Sequence, residues 1–546
     1  MKWVPVMLLC AVMGIPVVSG LVGDLTMGLG VTAWRQLLST PGLTRSIGLS
    51  VWTGVASTAI AVTLAHLTLA LAWTSGWIGR LRALSLPVLA SSHLALAIGV
   101  MLLLSPSGVL VRLLSPWATG FEQPPDWATV QDPRGLALIC GLTLKETPFV
   151  IWVLLGALAQ VDAERLILQS RLLGYGHFKG WLTAVAPLLH RQALLAMAAV
   201  LTFGVTNVEM ALPLGPSAPP TFSILLLRWF IASDLTSRPQ AFAGASLLLT
   251  ITIGCLAGLY GCSAVAKRLW RHWATSGVRV TEDSAVSGLV VAGTSVTFGL
   301  GLLAVAALLL RTAGSAWRFP RLVPSPVSLE VWRQVAPDLG ASLVTTLSLG
   351  LSTAAFTVIL VLVAAEALYD QPSMRRRIGV ALFIPLLLPQ MAYLFGWQVL
   401  LVRLGLDGTV FAVAWTHAVF ALPYVWAVLV EARATLNPGY RTIAYLLGGS
   451  PTRTWLIVTA PLLLRSILLA AGIAFAVSVA VYLPTLFAGA GRVVTLATEA
   501  AASVASGNLR SAAANAAAQV LAPLAMFAAT GLLSHVLFRR RLGVPK

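Results

Sequence analysis

Apolar runs, each about 20 residues long and set apart by short polar or basic stretches, follow one another through the whole chain. A helix of that length spans a hydrocarbon core of roughly 30 Å. Twelve such spans are predicted, at 4–22, 46–73, 84–105, 136–159, 187–213, 240–264, 287–310, 341–366, 378–401, 410–430, 461–486 and 511–537. Of the 546 residues, 58% are hydrophobic and only 10% are charged, which excludes an ordinary soluble domain. The chain reads as an all-α integral membrane protein.

Charge then orients the spans. The formal net charge is +18, and its placement suits membrane topology rather than nucleic-acid binding. With the N-terminus in the cytoplasm, 22 of 36 basic residues fall on cytoplasmic stretches, among them Arg375, Arg376, Arg377 and the Arg539, Arg540, Arg541 tail. The C-terminus is then cytoplasmic too. The first span has Lys2 ahead of it and no clean small-x-small cleavage site, so it reads as a retained helix rather than a signal peptide. Cys10, Cys140, Cys255 and Cys262 sit in or beside apolar spans without metal-ligand spacing, and the seven histidines are scattered. No metal or cofactor site is expected.

The chain is also duplicated. Nearly half of the aligned positions are identical between RLLGYGHFKGWLTAVAPLLHR (Arg171–Arg191) and YLLGGSPTRTWLIVTAPLLLR (Tyr445–Arg465), at an offset of 274. Ser46 and Gly54 match Ser342 and Gly350 at an offset of 296, and Pro87 matches Pro385 at 298. A longer loop at Ser105–Gly135 accounts for the change of offset. Six spans per half is an even number, so the halves run parallel about an axis along the membrane normal. We divide the chain into a first repeat at 1–270 with its loop at 163–191, a cytoplasmic linker at 271–286, and a second repeat at 287–546 with its loop at 437–465.

Within each loop Gly174 and Gly448 read as left-handed helix caps, and Pro187 and Pro461 follow them at the same spacing, as if opening the next span. Lys179, Trp181, Arg453 and Trp455 lie between. The pattern predicts a short helix, a turn and a second short helix along the membrane surface. A bland reading is an interfacial hairpin in contact with membrane lipid. Two copies facing one side instead suit a twofold partner.

The loop resembles the EAA motif of binding-protein-dependent ABC import permeases, in which E-A-A is followed by three residues, Gly, nine residues, Ile, one residue and Leu-Pro. The Gly-to-Pro spacing matches in both copies. The name-giving residues do not: Leu168, Gln169 and Ser170 stand in one loop, Thr442, Ile443 and Ala444 in the other. KETPF at Lys145 and YLPTLFAGAGRVVTLATEA at Tyr482 are similar to the Ynj-type fused permeases, related to those of the ferric iron and thiamine type. The resemblance implies the type I ABC importer (MetI-like) fold and coupling helices at Leu168–Phe178 and Thr442–Arg453. It also implies an ABC ATPase homodimer on the cytoplasmic side and a periplasmic solute-binding protein. The chain has no Gly-Lys pair and so no P-loop; ATP and magnesium would sit on the partner ATPase, and this chain is a transport subunit without enzymatic activity of its own.

Ionisable residues at membrane depth mark Lys145, Glu146 and Glu209 as candidate path residues, with the polar Asn207 beside Glu209 and Tyr482 in the matching stretch of the second half. Adjacent residues on a helix point about 100° apart, so Lys145 and Glu146 should have separate partners. The counterpart of Glu209 is Leu483. Segments 221–233 and 495–506 are Gly-rich turns and short amphipathic pieces, which the resemblance implies are periplasmic scoops or lids where a loaded receptor docks, with Asp234, Arg238, Arg492 and Glu499 as candidate docking charges. Two other readings stand beside the importer: a secondary, ion-coupled transporter of 6+6 helix type, and a membrane scaffold without a polar path.

Overall fold

A computed structural model describes residues 3–277, 284–314 and 316–538. The described residues are mainly helical, with non-helical connections such as 115–135 and one isolated bridge at Ser217–Pro220. Among the described residues, eleven helices are long and apolar enough to span a membrane, twelve if one bent pair counts as a single span. Part of the proposed linker, together with Lys2, Arg279 and the Arg539–Arg541 tail, lies outside the described residues.

The duplication reappears as helix register. His177–Gly180 is matched by Pro451–Thr454, Ala186–Thr206 by Ala460–Ala480, and Phe222–Ile231 by Leu496–Ala505, all at the offset of the repeated loop. Within the halves, small residues set the closest approaches. A Cβ on Gly54 would lie 2.5 Å from the Val205 amide nitrogen, so Leu43–Thr74 packs backbone to backbone on Ala186–Thr206.

The first helix of each repeat packs on the other repeat. Val4–Gly28 lies along Met391–Arg403, where a Cβ on Gly20 would fall on the Tyr393 carbonyl oxygen. In return, Ser284–Thr312 lies along His93–Leu104, where Gly99 abuts the Ala304 carbonyl. Glycine at these crossings removes the side chain that would hold the backbones apart.

The third span of each half departs from the sequence expectation of one continuous helix. In the second half Pro372–Leu387 and Met391–Arg403 meet at 96°. In the first, Ile78–Ala90 ends in extended backbone at Ser91, and a new helix begins at His93. Pro87 and Pro385 lie in the last turns before the breaks. Irregular backbone at membrane depth persists only where other protein groups satisfy it, and in the first half those groups include Lys145.

Candidate functional site

Each loop begins with a helix closed by a left-handed glycine. Gly174 has φ +83° and Gly448 φ +80°. In the first loop the amides of Gly174 and Tyr175 donate to the carbonyls of Arg171 and Ser170; in the second, those of Gly448 and Gly449 donate to Tyr445 and Ala444. This pair of hydrogen bonds closes the helix end and turns the chain sharply. It leaves four leucines projecting: Leu172, Leu173, Leu446 and Leu447, the last 83% exposed.

The second short helix of the expected hairpin is not separate. His177–Gly180 runs through a π-helical turn, Trp181–Val185, straight into Ala186–Thr206, and Pro451–Thr454 does the same through Trp455–Thr459 into Ala460–Ala480. Pro187 and Pro461 therefore stand inside continuous helical rods rather than at their starts. A proline there lacks the amide for the i−4 bond and crowds that carbonyl. The π turn absorbs the fault: the amides of Ala186 and Ala460 reach back five residues to the carbonyls of Trp181 and Trp455.

Lys179 and Trp181 face inward. The Lys179 ammonium lies 5.1 Å from the Tyr175 ring centre and 5.2 Å from that of Trp273, and Trp181 is fully buried. Arg453 is exposed and Trp455 partly so. The first loop is thus held by packed rings, with Lys179 and Trp181 in its interior rather than on its surface.

At the opposite ends of the rods stands a buried polar cluster. The first rod ends at Thr206, and the Asn207 side chain accepts hydrogen bonds from the amides of Met210 and Ala211, opening the next short helix. That turn carries Glu209, whose carboxylate accepts a hydrogen bond from the Tyr482 amide at 3.2 Å. Tyr482 follows the end of the second rod, so this bond joins the two repeats.

His93 completes the cluster. Its Nε2 lies 3.2 Å from Glu146, its Nδ1 3.9 Å from Glu209, and its ring 4.1 Å from that of Phe203. Lys145 turns away from Glu146, as the helical angle requires. Its ammonium donates to the carbonyls of Val88, Leu89 and Ser91, the open end of Ile78–Ala90. A cation at the C-terminus of a helix also complements the helix dipole. The five path residues named from the sequence therefore fall around one break in the third span.

His93 escaped the sequence reading because a single histidine in an apolar run carries no spacing signal. Its mark was the polar trio Ser91–Ser92–His93, which interrupts that run. The second half has no acid there: Met391, Phe420 and Leu483 replace His93, Glu146 and Glu209. It holds His417 instead, with Nδ1 2.7 Å from the Ser478 hydroxyl and Nε2 2.9 Å from that of Thr485. The polar lining of the two repeats is thus unequal.

Outside the cluster, a mainly apolar pocket of about 380 Å³ opens between segments 221–233 and 495–506. Both halves line it, with Ile224 and Arg228 facing Tyr482, Thr485 and Glu499. Of the remaining loop charges, Arg492 is paired with Asp407. Asp234 is engaged locally: the Thr236 hydroxyl, and then the Thr236 amide, hold its carboxyl below the ordinary carboxylate range.

No protein-family model matches the chain. It is similar to the inner membrane ABC transporter permease protein YnjC of Escherichia coli (strain K12), with 28% identity over 528 residues, covering 96% of this chain and 94% of that protein. The likeness runs through both repeats, and together with this pattern of membrane helices it fits a fused permease of the ABC-transporter type in the inner membrane.

Proposed function

We propose that the chain is the membrane subunit of an ATP-driven importer. A periplasmic binding protein delivers a small solute to the pocket between the outer segments. An ATPase dimer, carrying ATP and magnesium, docks on the two loops, and the termini lie in the cytoplasm with it. ATP-driven closure of the dimer moves the loops, and the rods carry that motion to the cluster where they end, giving alternating access.

The observation that supports this most is the pair of matching loops. Each presents two exposed leucines beside a rigid glycine turn and continues without interruption into a rod. Burying a leucine side chain contributes about 1.5–3 kcal/mol, so four such side chains on one face are the expected anchors for a twofold partner. Leu172→Ser with Leu446→Ser should abolish co-purification of the ATPase while leaving the permease folded. Retention of the ATPase by that variant would remove the loops from the docking surface.

The buried His93, Glu146 and Glu209 cluster favours one other reading, the ion-coupled transporter, because such carriers place titratable groups at membrane depth. Vesicles supplied with ATP and stripped of their proton gradient separate the two. The importer continues uptake there, and loss of uptake would favour the ion-coupled carrier.

A further inference from the structure

We propose that the break in the third span of the first repeat is a clasp that keeps the path shut toward the outside, with Glu209 and Gln519 as its two closing residues. The inference deepens the alternating-access reading above and rests on it.

Two separate threads leave neighbouring residues of the break and land on the same short stretch of the other repeat. In one, the Ser92 hydroxyl donates to the Gln519 side-chain oxygen at 2.7 Å, and the Gln519 amide donates to the Val479 carbonyl at 2.9 Å. In the other, His93 stands beside Glu209, whose carboxylate accepts from the Tyr482 amide at 3.2 Å. Val479 and Tyr482 flank the outer end of the second rod, where backbone groups lose their helical partners. Ser92, Gln519 and Glu209 are all buried.

The break itself is fixed. Lys145 holds the carbonyls on one side of it, and the Ser92 hydroxyl caps the helix on the other by accepting from the Ala95 amide. A fixed break gripping a rod end at two points is a closure that opens only when the rod moves. The rod that it grips begins in the second loop, so motion at the loop surface arrives at these two bonds. Tyr482 also lines the outer pocket, which puts the clasp at the floor of that pocket. Buried polar bonds of this kind separate cleanly into made and unmade states, because a half-satisfied arrangement is costly in a low-dielectric setting.

The test reads sidedness. In a full-length chain with its four cysteines replaced by alanine, Ala199→Cys places a thiol one helical turn below Phe203. A membrane-impermeant thiol reagent is applied from either side of vesicles without ATP or ATPase. With the clasp intact, labelling comes from the cytoplasmic side alone. Glu209→Ala and Gln519→Leu should each raise labelling from outside by about tenfold, the effect of losing one buried inter-repeat bond. Glu209→Gln keeps an oxygen that accepts from the Tyr482 amide and should stay near the intact chain, so a general loss of fold is told apart from a lost bond. Asp407→Asn, at the ion pair outside the clasp, should leave labelling unchanged.

Unchanged outside labelling in both Glu209→Ala and Gln519→Leu would overturn the proposal. So would equal labelling from both sides of the intact chain, or an equal rise in Asp407→Asn. ATP-driven uptake is a separate measurement, so failure of the clasp leaves the importer reading to stand or fall by itself.

Discussion

Glu366 accepts a hydrogen bond from Arg433 at 2.9 Å at the foot of the second repeat. Arg441, at the start of the second loop, joins the same carboxylate at 3.4 Å, and the Tyr369 ring lies within 4.0 Å of the Arg433 guanidinium and 5.0 Å of that of Arg441. The first repeat has Ala70, Ala159 and Ile167 at the corresponding positions. Ala163, Ile167 and Ser170 are buried in the first loop helix, whereas no residue of Gly439–Leu446 is buried. One loop is therefore seated by apolar packing and the other by an ion pair.

The difference gives a selective prediction. Glu366→Gln should loosen the second loop and spare the first. Glu366 is one-third exposed, so the effect is discounted to about 1 kcal/mol, a several-fold gain in amide exchange at 439–449. Equal gains at 163–174 would show that the ion pair acts on the whole molecule rather than on its own loop.

Two glycines should respond to the same substitution to very different extents. A Cβ on Gly448 would meet nothing within 4 Å, so Gly448→Ala costs only its left-handed conformation, about 1–2 kcal/mol and local to the turn. At Gly54 the new Cβ would meet the Val205 nitrogen at 2.5 Å and the Gly204 carbonyl carbon at 2.7 Å, so two helices must part. Thermal unfolding in nanodiscs should show a small shift for Gly448→Ala and a fall of several degrees or failed assembly for Gly54→Ala. Similar shifts in both would mean that the crossing at Gly54 is soft.

Lys145→Met should destabilise the chain by about 3–5 kcal/mol, because it leaves three carbonyls at the end of Ile78–Ala90 without their donor in a buried setting. Glu146→Gln keeps an oxygen for His93 and should cost less. Chemical unfolding of the two variants in one lipid composition checks the order. If Glu146→Gln is the worse, the lysine is not what holds the break.

These residues also mark where the sequence was readable. Span positions follow from hydropathy, and the repeat follows from identity at fixed offsets, so helix registers such as His177–Gly180 against Pro451–Thr454 could be anticipated. The partners of Lys145 are backbone carbonyls, which leave no trace in a sequence. Pro87 and Pro385 matched as repeat markers, yet the chain breaks a few residues beyond them, where Ser91 and Leu388 adopt extended backbone. The two loop prolines misled in the other direction. Proline ordinarily opens or interrupts a helix, yet Pro187 and Pro461 sit within one, each just after a π turn.

Those π turns carry the last prediction. Each inserts about one residue beyond an α-helical turn, which rotates the loop roughly 100° about the rod relative to a plain helix. Restoring the missing amide with Pro187→Ala and Pro461→Ala would let both rods relax to α-helix, a change that helix propensity favours. The double variant should therefore unfold no more easily than the parent, while the leucine pairs at the loop tips turn away from the ATPase that we propose docks there. Measured together, stability should hold or rise and ATP-driven uptake should fall steeply, with hydrolysis by the ATPase left uncoupled from transport. If uptake survives in the double variant, the rods retain their π turns without proline, and the orientation of the loops is set instead by packing around Trp181 and by the Glu366 ion pairs.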